Sequence, residues 1–193
     1  MIKQVCVYCA SSTQINPEYL MAASSIGEIL AGNNISVIYG GGSVGSMGAL
    51  ADAVIKNNGE LIGVIPKFMM ELEWGNPSVT EMKIVDSMAQ RKQLFIENVD
   101  AVIALPGGTG TLEELAEVIS LKKLGLFTKP IIIVNTRGFY DSLLQFIEQM
   151  VADNFIRAEH KDLYTVISDP ENIINAIKNA PIWEGKAIKL AAI

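Results

Sequence analysis

Histidine is almost missing from this 193-residue chain: His160 stands alone, and no second histidine or cysteine cluster accompanies it. Metal chemistry built on imidazole is therefore not expected, and no metal ligand is assigned. Cysteine is scarce too. Cys6 and Cys9 form a C-x-x-C inside the apolar run Val5-Cys6-Val7-Tyr8-Cys9. Their odd separation sends the two thiols to opposite faces of a strand, which suits buried free thiols and not a redox or metal pair. No apolar run approaches the ~20 residues of a membrane-spanning helix. The first residues enter a strand without the basic and apolar segments of a secretory leader, so a soluble, cytoplasmic protein is expected. Positive charge is in deficit, with 15 Lys and Arg against 21 Asp and Glu, a net charge of −6 and a pI near 4.8. That balance argues against a nucleic-acid polymer as partner and leaves room for a single local anion seat. No G-x-x-x-x-G-K-[ST] is present, which excludes a P-loop nucleotidase.

What is present is a core-forming composition. Half of the residues are hydrophobic and 19% are charged, which excludes disorder, and the length suits one domain. Short β-branched runs alternate with longer helical patterns. The expected strands lie at 4–9, 36–39, 60–65, 82–85, 101–105, 131–134 and 164–167. The expected helices lie at 17–33, 45–58, 87–97, 110–124, 140–153 and 170–179. Val102-Ile103-Ala104-Leu105 and Ile131-Ile132-Ile133-Val134 are apolar throughout, as strands covered by helices on both faces are. The fold class is α/β, a doubly wound, mainly parallel, Rossmann-like sheet in a single domain spanning 1–180, with a C-terminal tail at 181–193. Residues 67–79 form the longest irregular connection, a candidate lid or interface.

Three loops at the carboxyl ends of the strands, where this fold gathers its ligands, carry polar chemistry. The first holds Ser11 and Ser12, whose hydroxyls can donate to phosphate oxygens or serve only the turn. The second runs Gly40-Gly41-Gly42-Ser43-Val44-Gly45-Ser46-Met47-Gly48. It contains G-x-G-x-x-G, yet the following strand ends in Pro66-Lys67, without the acid that a dinucleotide site needs for the ribose. The loop is better read as one wall of a nucleotide pocket. The third is Pro106-Gly107-Gly108-Thr109-Gly110-Thr111-Leu112-Glu113-Glu114, a glycine turn that opens a helix. Its backbone N–H groups and the Thr111 hydroxyl suit an anion. Two carboxylates directly behind that seat are unfavourable for binding phosphate alone, so the motif points to a nucleoside monophosphate site with chemistry attached. Arg91, in Met88-Ala89-Gln90-Arg91-Lys92, adds a planar fork at the same sheet edge.

These three segments resemble, in order and spacing, the P-G-G-x-G-T-x-x-E, M-x-x-R-K and G-G-G-x-x-G-x-M-G signatures of the LONELY GUY (LOG) family, cytokinin riboside 5′-monophosphate phosphoribohydrolases once labelled lysine decarboxylases. The likeness spans about residues 5–167. It implies a homodimer, without cofactor, that splits the N-glycosidic bond of an N6-substituted AMP into free base and ribose 5-phosphate. It implies Arg91 and Glu114 as the catalytic pair. Implied substrate contacts are Ser12, Gly41, Gly42, Glu73, Lys92, Gly107, Gly108, Thr109, Gly110, Thr111, Glu113 and Ser120, the last where threonine is usual. Two departures stand out: Ala89 replaces a frequent histidine, and the loop Glu71-Leu72-Glu73-Trp74-Gly75-Asn76 differs from the common pattern, which bears on base preference. The rival reading is a non-catalytic nucleotide or molybdenum-cofactor carrier on the same fold. Such a protein keeps the glycine loops but has no need of Arg91 and Glu114 together.

Overall fold

The computed structural model describes residues 1–71 and 75–183. Seven strands, β1 (Gln4–Tyr8), β2 (Ser36–Tyr39), β3 (Leu61–Pro66), β4 (Glu81–Val85), β5 (Ala101–Ala104), β6 (Ile131–Val134) and β7 (Thr165–Ile167), form one sheet in the order β4-β3-β2-β1-β5-β6-β7. Every pairing is parallel. The helices are α1 (Pro17–Gly32), α2 (Gly45–Lys56), α3 (Lys67–Glu71), α4 (Met88–Ile96), α5 (Thr109–Lys123), α6 (Asp141–Ala152) and α7 (Ile173–Asn179). The expected doubly wound sheet is thus present and is parallel throughout. Chain order reverses between β1 and β5, and the connections on either side of that point diverge, opening a crevice above the strand ends.

Two differences from the expected elements have local causes. The connection at 67–79 is not wholly irregular, because its first residues form the single turn α3 directly after β3. The segment expected to be helical from 170 begins as a 3-10 turn, Pro170–Asn172, with Asp169 accepting from Glu171 N at 3.0 Å, and α7 starts only at Ile173. α1 opens with an Asn16 side chain that accepts from Glu18 N at 2.9 Å and with Pro17 at the first helical position, where a missing N–H costs nothing. Residues 184–193, most of the expected tail, lie outside the described residues; Trp183 just before them is 5% exposed, its ring 6.2 Å from that of His160.

Each central strand divides its side chains between the two faces. Val5 and Val7 of β1 join Ile103, Leu30 and Leu50 on one side, and Cys6 and Tyr8 join Val102, Leu115 and Phe95 on the other. The two thiols therefore do point to opposite faces, Cys9 packing with the first group, and both are free. α1 and α2 approach closely on the first face: a Cβ on Gly27 would stand 2.7 Å from the Leu50 carbonyl oxygen and 2.9 Å from Ala53 Cβ. α5 buries Thr111, Leu115, Val118 and Lys122, a stripe at helical spacing whose last member is a lysine only 1% exposed. Among the described residues no helix is long and apolar enough to cross a membrane.

Candidate functional site

The crevice between β1 and β5 is a cavity of about 550 Å³. Its walls come from three strand ends. Residues from Val7 to Ser12 continue β1, Gly40, Gly42 and Ser43 continue β2, and Gly108 to Thr111 start α5 after β5. Gly45, at φ +62°, starts α2 against the β1 loop: a Cβ there would lie 2.5 Å from the Ser12 carbonyl oxygen. Only glycine both adopts that backbone and allows the two loops to touch.

The start of α5 has the character of an anion seat. First-turn amides have no acceptor within a helix, and the residue that would cap them is Gly108, which has no side chain to do so. At Gly108 and at Gly110 a Cβ would meet nothing within 4 Å. The fold itself does not require glycine at either place, so the bare backbone faces open cavity. Thr111 is different: it is 5% exposed and packs where Gly107 leaves space for it.

Arg91 enters from α4, whose first turn is fixed by Ser87 Oγ accepting from Gln90 N at 3.2 Å. The residue is 9% exposed. Nε donates to the Val64 carbonyl at 3.0 Å and Nη2 to the Gly40 carbonyl at 2.8 Å, and Cζ lies 5.2 Å from the centre of the Phe95 ring. The side chain thus joins the ends of β2 and β3 while facing the cavity. Burial lowers its basicity, and the negative field of Glu114 opposes that shift.

Glu114, in the second turn of α5, faces the same cavity. Burial, the largest influence, pushes its carboxyl up to about 7; Arg91 pulls it down and Glu113 pushes it up further. The ion pairs among the described residues do not include one between Glu114 and Arg91. A carboxylate balanced near neutrality beside a fixed cation can take up and return a proton at physiological pH.

Of the residues singled out in the sequence, Ser12, Gly42, Arg91, Gly108, Thr109, Gly110, Thr111 and Glu114 line the cavity. Others sit close by without lining it. Gly41, at φ +81°, backs onto Met82 and Ile65. Lys92 projects from α4 to pair with Glu113 and, at 3.2 Å, with Glu117 on α5. Ser120, on the exposed side of α5, donates to the Ala116 carbonyl at 2.8 Å. Glu73 lies outside the described residues. The motif reading assigned no contact to the apolar part of the lining: Tyr8, Met47, Ile65, Met69 and Phe95. Phe95 was accessible through its helical spacing from Arg91, and Tyr8 through its place at the last position of β1. Met69 gave no signal, since it depends on α3 folding back over β3.

Comparison with known proteins bears on the family and the fold. A family model described as "Possible lysine decarboxylase" matches residues 47–177. A probable cytokinin riboside 5′-monophosphate phosphoribohydrolase of Oryza sativa subsp. japonica is 40% identical over 176 residues, 91% of this chain and 78% of its own length. A cytokinin riboside 5′-monophosphate phosphoribohydrolase of Arabidopsis thaliana is 46% identical over 154 residues, 80% of this chain and 71% of its own. Among solved structures, the molybdenum cofactor carrier protein of Chlamydomonas reinhardtii superposes with a TM-score of 0.71 over 93% of this chain and 98% of that one, at 19% identity. That last likeness is one of fold. With the glycine-walled cavity, the Arg91 and Glu114 pair inside it and relatives of this identity over most of both chains, the chain belongs to the LONELY GUY (LOG) family.

Proposed function

We propose that this protein hydrolyses the N-glycosidic bond of N6-substituted adenosine 5′-monophosphates, releasing the free base and ribose 5-phosphate. The observation that carries the reading is the shared cavity: an uncapped helix start with open glycine backbone, and behind it a carboxylate held near pH 7 by burial against a fixed arginine. Phosphate docks on the amides of Gly108 to Thr111, and this contact, remote from the bond that breaks, fixes the position of the ribose. As the bond from C1′ to the base nitrogen lengthens, positive charge grows on the sugar, as in glycoside hydrolysis. The ionised Glu114 stabilises that charge and accepts a proton from the attacking water, whose oxygen bonds to C1′. The departing base carries the bonding pair and is then protonated, the proton returning from Glu114. Arg91 orients the carboxylate and the ribose. The apolar part of the lining, Ile65, Met69 and Phe95, offers a surface for the base.

The remaining assigned contacts, at Gly41, Glu73, Lys92, Gly107, Glu113 and Ser120, belong to this proposal through the family resemblance. So does a homodimeric state, and a cytoplasmic location is part of the same proposal. Pairing of two copies would cover apolar side chains that one chain leaves exposed, such as Phe146 and Phe155. Incubation with AMP and with isopentenyl-AMP, followed by chromatography, tests the reaction. Free purine supports it. Tight nucleotide retention without base release would favour the carrier reading, which shares this fold.

A further inference from the structure

We infer that Tyr140 is a positioning residue for the anion seat, acting through the carbonyl of Leu105; the inference rests on the proposed function for its substrate and on the structure for its geometry. β5 ends at Ala104, and the chain must leave the sheet through Leu105-Pro106-Gly107 before α5 begins. Leu105 N still donates to Tyr8 O at 2.9 Å, as a strand residue would. No backbone N–H among the described residues donates to its carbonyl, because β1, the strand that Leu105 faces, ends at Tyr8. Tyr140 Oη donates to that carbonyl at 2.7 Å in a buried setting. The bond fixes the peptide plane between Leu105 and Pro106, and so the direction in which the glycine turn departs.

Tyr140 is itself held on every side. Its backbone N donates to Asn135 Oδ1 at 2.7 Å, and Asn135 Nδ2 donates to Asp141 Oδ1 at 2.7 Å. Asn135 N donates to Ile167 O on β7 at 2.7 Å. Between them the chain turns through Arg137 and Gly138, both with positive φ (58° and 69°), and Phe139 stacks edge-on to Tyr140 at 5.0 Å. A six-residue latch at the end of β6 therefore aims one hydroxyl at the loop that binds phosphate. No ligand contact is needed for that role, and Tyr140 is not part of the cavity lining.

The test is Tyr140→Phe, which keeps the ring and removes only the donor. Steady-state rates are measured with AMP and with adenosine, and ribose 5-phosphate affinity by calorimetry, with a thermal melt to confirm folding. The expected result is a kcat/KM for AMP reduced about tenfold, mostly through KM, the size set by one net hydrogen bond. Ribose 5-phosphate affinity falls by a similar factor, and kcat/KM for adenosine, which has no phosphate to seat, stays at the parent value. Equal losses on AMP and adenosine, or unchanged ribose 5-phosphate affinity, overturn the inference. Parent protein that binds ribose 5-phosphate yet releases no base refutes the proposed function alone, and the affinity arm still decides the role of Tyr140. Parent protein that binds no ribose 5-phosphate overturns both.

Discussion

Glu114 and Lys122 lie on the same helix and are both perturbed by burial, with opposite consequences. In the proposed reaction Glu114 works as the carboxylate, so kcat/KM should rise with pH through about 7, the value to which burial lifts the carboxyl. A pH profile whose acid limb falls near 4.5 instead would remove the burial argument. Glu114→Gln should keep the fold and nucleotide binding and lower turnover by roughly 10²–10⁴-fold, the usual contribution of one acid–base group. Lys122 is a stability effect. It is 1% exposed, and burial alone lowers its amine to about 8. The folded value lies below that of a free lysine, so the native state bears the cost of a buried charge below pH 8 and loses that cost as pH rises toward ~10.4. Stability of the parent should therefore climb between those values. Lys122→Met should raise Tm at pH 7, by at most about 3 kcal/mol in stability, and should flatten the pH dependence; an unchanged melting curve at pH 7 would show that the amine reaches water.

At the level of elements, the pairing of α1 with α2 is the least tolerant. Gly27→Ala places a methyl 2.7 Å from the backbone oxygen of Leu50, which cannot move as a side-chain tip could. Overpacking of this kind costs ~1–3 kcal/mol, and the better helix propensity of alanine returns ~1. Because the clash is with backbone, the upper part of that range applies, and a net loss of about 1–2 kcal/mol should be visible in urea denaturation. Gly108→Ala is the contrasting case, since its Cβ meets nothing. The variant should melt with the parent and lose affinity for ribose 5-phosphate. Elements were legible in the sequence where one rule governed them. The all-apolar runs at 101–105 and 131–134 gave central parallel strands, and Asn16-Pro17 gave a helix start. The site was legible as far as chain-local motifs reach: Arg91, Glu114 and the glycine turn. Tyr140 was not, because its hydroxyl meets a carbonyl 35 positions away in sequence, and nothing local marks that partner.

For the molecule as a whole, the sheet order brings together the two segments to which the proposal gives the chemistry. Arg91 precedes β5 and Glu114 follows it, and both reach the gap beside β1 because the chain crosses from β4 at one edge back to the centre. Light scattering coupled to gel filtration should give about twice the chain mass if the homodimer is formed; the single-chain mass at working concentration would remove that part of the proposal. Arg91 also has a meaning for how any variant series is interpreted. Its bonds to Gly40 and Val64 make the guanidinium a bracket between two strands, and the proposed function gives the same group a part in the reaction. Inactivity after replacing it therefore carries two explanations at once, a lost bracket and a lost reacting group, and only a melting curve beside the assay separates them.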